Sequence, residues 1–134
     1  MSKLILVRGL PGSGKSTVAK QLAYSDSDVM HFEADMYWMV DGEYKFDRYK
    51  LKNAHDWCRD KTLECLQKGI DVVVSNTFTT KKEMEVYFSM AKVFGIVPQV
   101  ILCQAQYGNI HDVPEETLAK MKARFEFDIS ELYT

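Results

Sequence analysis

One α/β domain, built on a parallel sheet with helices on both faces, is the fold class that this sequence predicts. Three observations carry it. Short apolar runs alternate with longer amphipathic stretches along the chain, the order of strand, helix, strand and helix. The runs are apolar almost throughout rather than at every second position, as in strands covered on both sides. The chain has 134 residues, enough for one core and too few for two. Residues 1–134 are therefore expected to form one domain, a three-layer unit of about four to five strands.

The elements follow in order. "KLILV" at 3–7 reads as a buried strand, and a helix is predicted from Ser13 or Gly14 to about Ala23. "DVMHFE" at 28–33 is the second strand, and Asp41-Gly42 marks a turn. Asp47 is placed to cap a long helix to about Lys68, with Leu51, Ala54, Cys58, Cys65 and Leu66 along one face and Gly69 closing it. "IDVVV" at 70–74 is the third strand. Thr80 and Glu83 have capping-box spacing and open a helix that Gly95 ends. "IVPQVILC" at 96–103 is the fourth strand, with Pro98 outside its hydrogen-bonded part. Pro114, followed by two glutamates, opens a last helix over about 114–127. Ligands of such sheets bind beyond the carboxyl ends of the strands, so the informative segments are 8–16, 33–38, 75–80 and 104–112.

Composition narrows the partners. A net charge of −2 argues against a domain that coats nucleic acid by bulk electrostatics. No apolar run approaches the roughly 18 residues of a membrane span. "LILV" is too short for a leader core, and polar sequence follows it at once. Cys58 and Cys65 fall on one helix about 10 Å apart, beyond disulfide reach. Free thiols suit a reducing cytoplasm, the expected location.

The most specific stretch is "GLPGSGKST", Gly9–Thr17. Gly9, Gly14, Lys15 and Ser16 match G-x-x-x-x-G-K-[ST], directly after a strand and before a helix. Such a loop, here with Leu10, Pro11, Gly12 and Ser13 inside it, turns successive N–H groups inward as an anion nest at a helix N-terminus. Lys15 is placed to reach the β- and γ-phosphates of a nucleoside triphosphate, and Ser16 to ligate Mg2+. ATP or another nucleoside triphosphate with Mg2+ is therefore the expected ligand.

A second set of residues bears on the fate of the phosphate. Asp35 follows the second strand, where a carboxylate accepts the proton of an acceptor hydroxyl. Glu33 is its neighbour and competitor, and the alternation of Phe32 and Ala34 points it elsewhere. The run from Met36 to Met39, with Tyr37 and Trp38, has the composition either of core or of a base-stacking surface. Phosphate-loop hydrolases commonly carry a Mg2+-holding aspartate after the third strand. This chain has Ser75, Asn76 and Thr77 there, groups suited to orienting a substrate and less to hydrolysis. Lys45, Arg48, Lys50 and Lys52, interleaved with Tyr44, Phe46 and Tyr49, have the makeup of a nucleic-acid strip, although Asp41, Glu43 and Asp47 offset their charge. Lys81 and Lys82 are a second, smaller basic pair.

"GLPGSGKSTVAKQL", "FEADMYW", "YKFDRYKLKNAHDWC", "VVVSNTFTTKKEME" and "NIHDVPEETLAKMKARFE", in this order, span most of the chain. Together they resemble the small P-loop kinase-like family that includes the 5′-kinase domain of phage polynucleotide kinase. The likeness extends to short phage- or bacterium-encoded AAA-type ATP-binding kinases. It implies a P-loop NTPase fold with strand order 2-3-1-4, Lys15 and Ser16 on ATP and Mg2+, and Asp35 as general base. It also implies an acceptor that is the 5′-hydroxyl of a nucleic acid or nucleoside, or a nucleotide. On the same basis His55 is a candidate for the substrate side and His111 for contact with the ATP phosphates or base, while Trp38 as a stacking ring and Asn76 and Thr77 as hydrogen-bonding groups join the substrate side from their own chemistry. His31 reads as sheet packing. The chain departs from the family at two points. Trp38 stands where polynucleotide kinases carry an arginine for the substrate phosphate, and no arginine lies between Arg59 and Arg124. Arg124, Lys120, His111 or a partner subunit would have to supply the lid charge. Two rivals to transfer remain: a non-catalytic nucleotide-binding module and an ATPase.

Overall fold

The computed structural model describes residues 2–24, 28–106 and 113–134. In chain order they form β1 (Leu4–Arg8), α1 (Lys15–Tyr24), β2 (Val29–Phe32), a 3-10 turn over Ala34–Trp38, β3 (Met39–Val40), β4 (Glu43–Tyr44), α2 (Leu51–Gln67), β5 (Asp71–Asn76), α3 (Lys81–Val93), β6 (Gln99–Leu102) and α4 (Glu115–Arg124). A 3-10 turn over Ser130–Tyr133 ends the chain. The main sheet runs β2-β5-β1-β6, all parallel. Counting its four strands alone, this is the expected order 2-3-1-4.

Alternate residues of each apolar run divide between the two faces, which is why the runs lack a polar period. Leu4, Leu6, Val72 and Val74 pack with Ala54, Cys58 and Leu66 of α2 and Met84, Tyr87 and Ala91 of α3. Val7 and Val73 pack on the other face with Val18, Ala19 and Leu22 of α1. Thr80 caps α3 as a full capping box, accepting from Glu83 N at 3.4 Å while Glu83 Oε2 accepts from Thr80 N at 3.1 Å. The three cysteines are free.

The structure departs from expectation at three places. Asp47 caps the short 3-10 turn Arg48–Lys50 through Tyr49 N, and α2 begins only at Leu51. Leu51 is 46 % exposed, so the buried face of α2 starts at Ala54. The Asp41-Gly42 turn, with φ of 54° and 81°, closes a two-stranded hairpin of β3 and β4. The last helix stops at Arg124, three residues short of expectation, because the following backbone turns into the molecule. Glu126 N bonds Thr79 O at 2.7 Å, and the Phe125 ring lies 4.3 Å under the Arg8 guanidinium.

Arg8 is 1 % exposed. Its Nε and Nη2 donate to Phe78 O at 3.0 and 2.7 Å. Burial pulls its pKa down, against the opposing fields of Glu83 and Glu126. Nη2 also reaches Thr79 O at 3.5 Å, and a planar fork that cannot shed its proton suits two carbonyls and a ring face at once. It ties β1, the start of the phosphate loop, to the β5–α3 connection and to the segment after α4.

Candidate active site

Between β1 and α1 the chain makes the loop that the motif predicts. Gly12 and Gly14 have φ of 82° and 89°, values that side chains rarely allow. Gly9 is constrained by space. A Cβ there would meet Ser13 Oγ and would lie 2.7 Å from the Cys103 carbonyl oxygen. Gly9 N donates to Thr77 O at 3.3 Å and Cys103 N to Arg8 O at 2.8 Å, so the ends of β5 and β6 brace the loop. Ser13 Oγ is buried without a hydrogen-bond partner among the described residues. Lys15 is 8 % exposed; desolvation lowers its pKa, and Glu33, Asp35 and Cys103 partly restore it. A buried cation, an orphaned hydroxyl and a backbone pressed close enough to exclude a Cβ fit an anionic nucleotide and its cation.

The carboxyl end of β2 faces this loop. Phe32 and Ala34 are both 8 % exposed and face the α2–α3 core. Alternation therefore turns Glu33 to the other side, and that side is the phosphate loop: Ser16 Oγ donates to Glu33 Oε2 at 3.2 Å. His31 Nε2 lies 3.3 Å from Glu33 Oε1 and shares a 2.8 Å hydrogen bond with Ser75 Oγ. Burial lowers the His31 pKa, with Glu33 opposing. Alternation thus does turn Glu33 away from the groups that meet Asp35, onto the phosphate loop, and His31, expected only to pack the sheet, is in addition the partner of Glu33 and Ser75. The signal was in the sequence, since the alternation that removed Glu33 from one face assigned it to the other.

Asp35 sits in the 3-10 turn after β2. Tyr44 of the hairpin donates to Asp35 Oδ1 at 2.7 Å. Desolvation and this bond push the Tyr44 hydroxyl up to about 12, so it remains a donor. The Ala34 backbone N–H donates to Asn76 Oδ1 at 2.9 Å, and Asn76 Nδ2 approaches Cys58 Sγ at 3.8 Å. Asn76 is 7 % exposed, and both ends of its amide are engaged. It holds the Asp35 turn instead of offering a free substrate contact, which corrects its expected place among the substrate ligands. Thr77 is half-buried, and its carbonyl is used by Gly9.

Other candidates fall further out. Trp38 is 4 % exposed, with Tyr37 and Phe46 edge-on at 5.3 and 5.1 Å. It is packed against these rings and forms one wall of a groove. That groove, about 780 Å³, is lined by Tyr37, Trp38, Lys45, Phe46, Arg48 and Lys50. His55 is exposed on α2. Arg124 Nε donates to Thr79 Oγ1 at 3.1 Å, and the same hydroxyl donates to Glu83 at 3.0 Å. Lys81 is engaged by Glu126 and Glu131 at 3.7 and 3.2 Å, so it does not serve as a basic site facing an acceptor. His111 lies outside the described residues. A cavity of about 370 Å³ opens on the outer side of the phosphate loop, between Leu10, Pro11, Gln104, Leu118, Lys122 and Phe127. Sequence reasoning did not single out Arg8 or Thr79, whose partners are distant in the chain, and it named Tyr44 only within the basic strip and not as the partner of Asp35.

No helix among the described residues is long and apolar enough to cross a membrane. No three His, Cys, Asp or Glu side chains among them gather as a metal cluster, so a cation here would depend on Ser16, its neighbours and phosphate oxygens.

A family described as an AAA domain matches residues 4–127. Human NEDD4-binding protein 2 is 34 % identical over 90 residues, 66 % of this chain and 5 % of that protein. Uncharacterized protein PM0531 of Pasteurella multocida is 26 % identical over 134 residues, 90 % of this chain and 75 % of its own length. The chain thus spans only a small part of the human relative. Among solved structures, the Pnkp1/Rnl/Hen1 complex has a chain that superposes with a TM-score of 0.61 at 20 % identity, over 89 % of this chain and 38 % of that one. The Mycobacterium tuberculosis APS kinase CysC does so with a TM-score of 0.60 at 14 % identity, over 92 % and 96 %. The family match runs from the first residue of β1 to the segment beyond α4, and the chain belongs to this AAA domain family with the fold of the P-loop kinases.

Proposed function

We propose that the protein is an ATP- and Mg2+-dependent phosphotransferase that moves the γ-phosphate to an acceptor hydroxyl. The acceptor we favour is the 5′-hydroxyl of a polynucleotide or nucleoside, with a nucleotide phosphate next. The observation that carries the reading is the setting of Asp35. It sits in the turn that follows β2 and already accepts a hydrogen bond from a hydroxyl, that of Tyr44, at 2.7 Å, and its field opposes the desolvation that lowers the Lys15 pKa.

In this mechanism the loop N–H groups and the Lys15 ammonium hold the β- and γ-phosphates. Mg2+, when bound, neutralises charge developing on the phosphate oxygens. Ser16 is its protein ligand. Asp35 takes the proton of the acceptor hydroxyl as its oxygen attacks the γ-phosphorus and the bond to the bridging oxygen breaks. Asn76 keeps Asp35 in place through Ala34. The cavity beside Leu10 and Phe127 is the candidate seat of the base. The groove of Lys45, Arg48 and Lys50, with Phe46 54 % exposed, is the candidate seat of a nucleic-acid acceptor. Arg124 is the candidate arginine for the transferring phosphate.

A non-catalytic nucleotide-binding module is the second reading, favoured by the hold of Thr79 on Arg124 Nε. Hydrolysis regains some ground, because Glu33 brings to Ser16 a carboxylate that the segment after β5 lacks. The test is transfer of label from γ-labelled ATP to 5′-hydroxyl oligonucleotides, nucleosides and nucleoside monophosphates. Asp35→Asn should bind ATP normally and lose transfer by roughly 10²–10⁴-fold, the usual worth of a general base. Full transfer by Asp35→Asn would refute the assignment of the base. A wild type that binds ATP and labels no acceptor supports the binding module.

A further inference from the structure

We propose that Glu33 is the protein carboxylate of the cation site, closing the metal shell beside Ser16 in place of an acid at the end of β5. The proposal rests on the nucleotide-binding reading above and adds a residue to it.

The first argument is distance. Mg2+ binds oxygens at about 2.0–2.1 Å in an octahedron, so neighbouring ligands lie about 3 Å apart. Ser16 Oγ and Glu33 Oε2 are 3.2 Å apart, already close to that edge. Hydroxyl, carboxylate and phosphate oxygens form the hard donor set that favours Mg2+ or Mn2+.

The second argument is by location. Across the sheet, where a metal-holding acid would follow β5, the side chains are neutral and engaged. Ser75 Oγ is bonded to His31, and Asn76 Oδ1 takes the Ala34 N–H. The carboxylate reaching Ser16 comes from β2 instead, one strand further along the sheet.

The third argument is the backing. The Glu33 side chain is 13 % exposed and that of His31 8 %. His31 Nε2 meets Oε1, leaving Oε2 on Ser16, and the same ring nitrogen shares a hydrogen bond with Ser75 Oγ, which fixes the imidazole beside the carboxylate. Outer partners that orient a ligating group in this way are a recurrent part of metal sites. The arrangement also separates two acids two residues apart. Glu33 faces Ser16 on the α1 side, whereas Asp35 Oδ1 meets Tyr44 of the hairpin. One serves the cation and the other the acceptor.

The test uses Mn2+ as the probe, followed by its electron paramagnetic resonance signal during titration of protein saturated with ADP. Metal-free ADP binding is measured alongside in chelator. Glu33→Gln is expected to weaken Mn2+ by about 10–100-fold while metal-free ADP affinity stays within about twofold. Asp35→Asn is expected to keep wild-type Mn2+ affinity. Glu33→Asp keeps the charge and shortens the reach; it covers the case in which Glu33→Gln does not fold, and should weaken Mn2+ several-fold. Wild-type Mn2+ affinity in either Glu33 variant overturns the proposal. So does equal loss of ADP with and without metal, which would make Glu33 a packing residue. Loss of transfer at unchanged Mn2+ affinity would also overturn it and make Glu33 the base. If wild-type protein binds no ADP under either condition, the nucleotide reading itself fails, a separate outcome.

Discussion

Replacing Asn76 by Ala removes one side chain and leaves the Ala34 N–H buried without its acceptor. An orphaned backbone donor costs about 1–3 kcal/mol. Loss of the contact with Cys58 and a small void add on the order of 1 kcal/mol. The sum is about 2–4 kcal/mol, or roughly 6–15 °C in melting temperature for a chain of this length. The functional effect should be selective. The Ala34 N–H opens the 3-10 turn that carries Asp35, whereas the phosphate loop is braced separately by Thr77 and Cys103. A misplacement of about 1 Å at a catalytic group costs up to 10²-fold in rate. Asn76→Ala should therefore keep nucleotide affinity within about twofold and lose acceptor labelling by tenfold or more. The assays are a urea or thermal melt, equilibrium ADP binding and transfer from labelled ATP. A stability loss below about 0.5 kcal/mol, or nucleotide affinity falling in step with turnover, would refute the reasoning.

Gly9→Ala should abolish tight nucleotide binding and destabilise the fold by about 1–3 kcal/mol, since Ser13 can rotate away from the new methyl but the Cys103 carbonyl cannot; isothermal titration with ADP and a melt measure the two effects. The Tyr44 hydroxyl has a folded pKa of about 12 against 10.0 for an ordinary tyrosine, so folding favours its protonated form. Its contribution to stability is full below pH 10 and is lost as pH rises through 12. The 295 nm absorbance difference between wild type and Tyr44→Phe should titrate near the upper value, and a midpoint at the ordinary value would show that the bond to Asp35 is not formed.

The phosphate loop was legible because its physics is local. The glycines, Lys15 and Ser16 are neighbours in the chain, and the strand before and helix after them come from short-range patterns. The same holds for the Thr80 capping box and for Pro98 outside β6. The Asp47 cap was legible as a cap, but it closes a 3-10 turn, because nothing in the local pattern separates one turn of that kind from the first turn of α2. Asn76 was visible as a polar residue beyond a strand. That its amide is turned to Ala34 and Cys58, 42 and 18 residues away, was not.

The order of residues along the chain by itself determined the parallel sheet, the anion nest and the presence of acids after β2. These depend on backbone conformation and on a period of two or 3.6 residues, both written in adjacent positions. The tertiary structure decided which acid meets which group. Glu33 reaches Ser16 across 17 residues, Asp35 meets Tyr44 of the hairpin, and Arg124 is held by Thr79 across 45. Each is a hydrogen bond between side chains brought together by sheet order and helix packing. Such a bond exists only when both partners arrive within about 3 Å, a condition that no stretch of sequence contains.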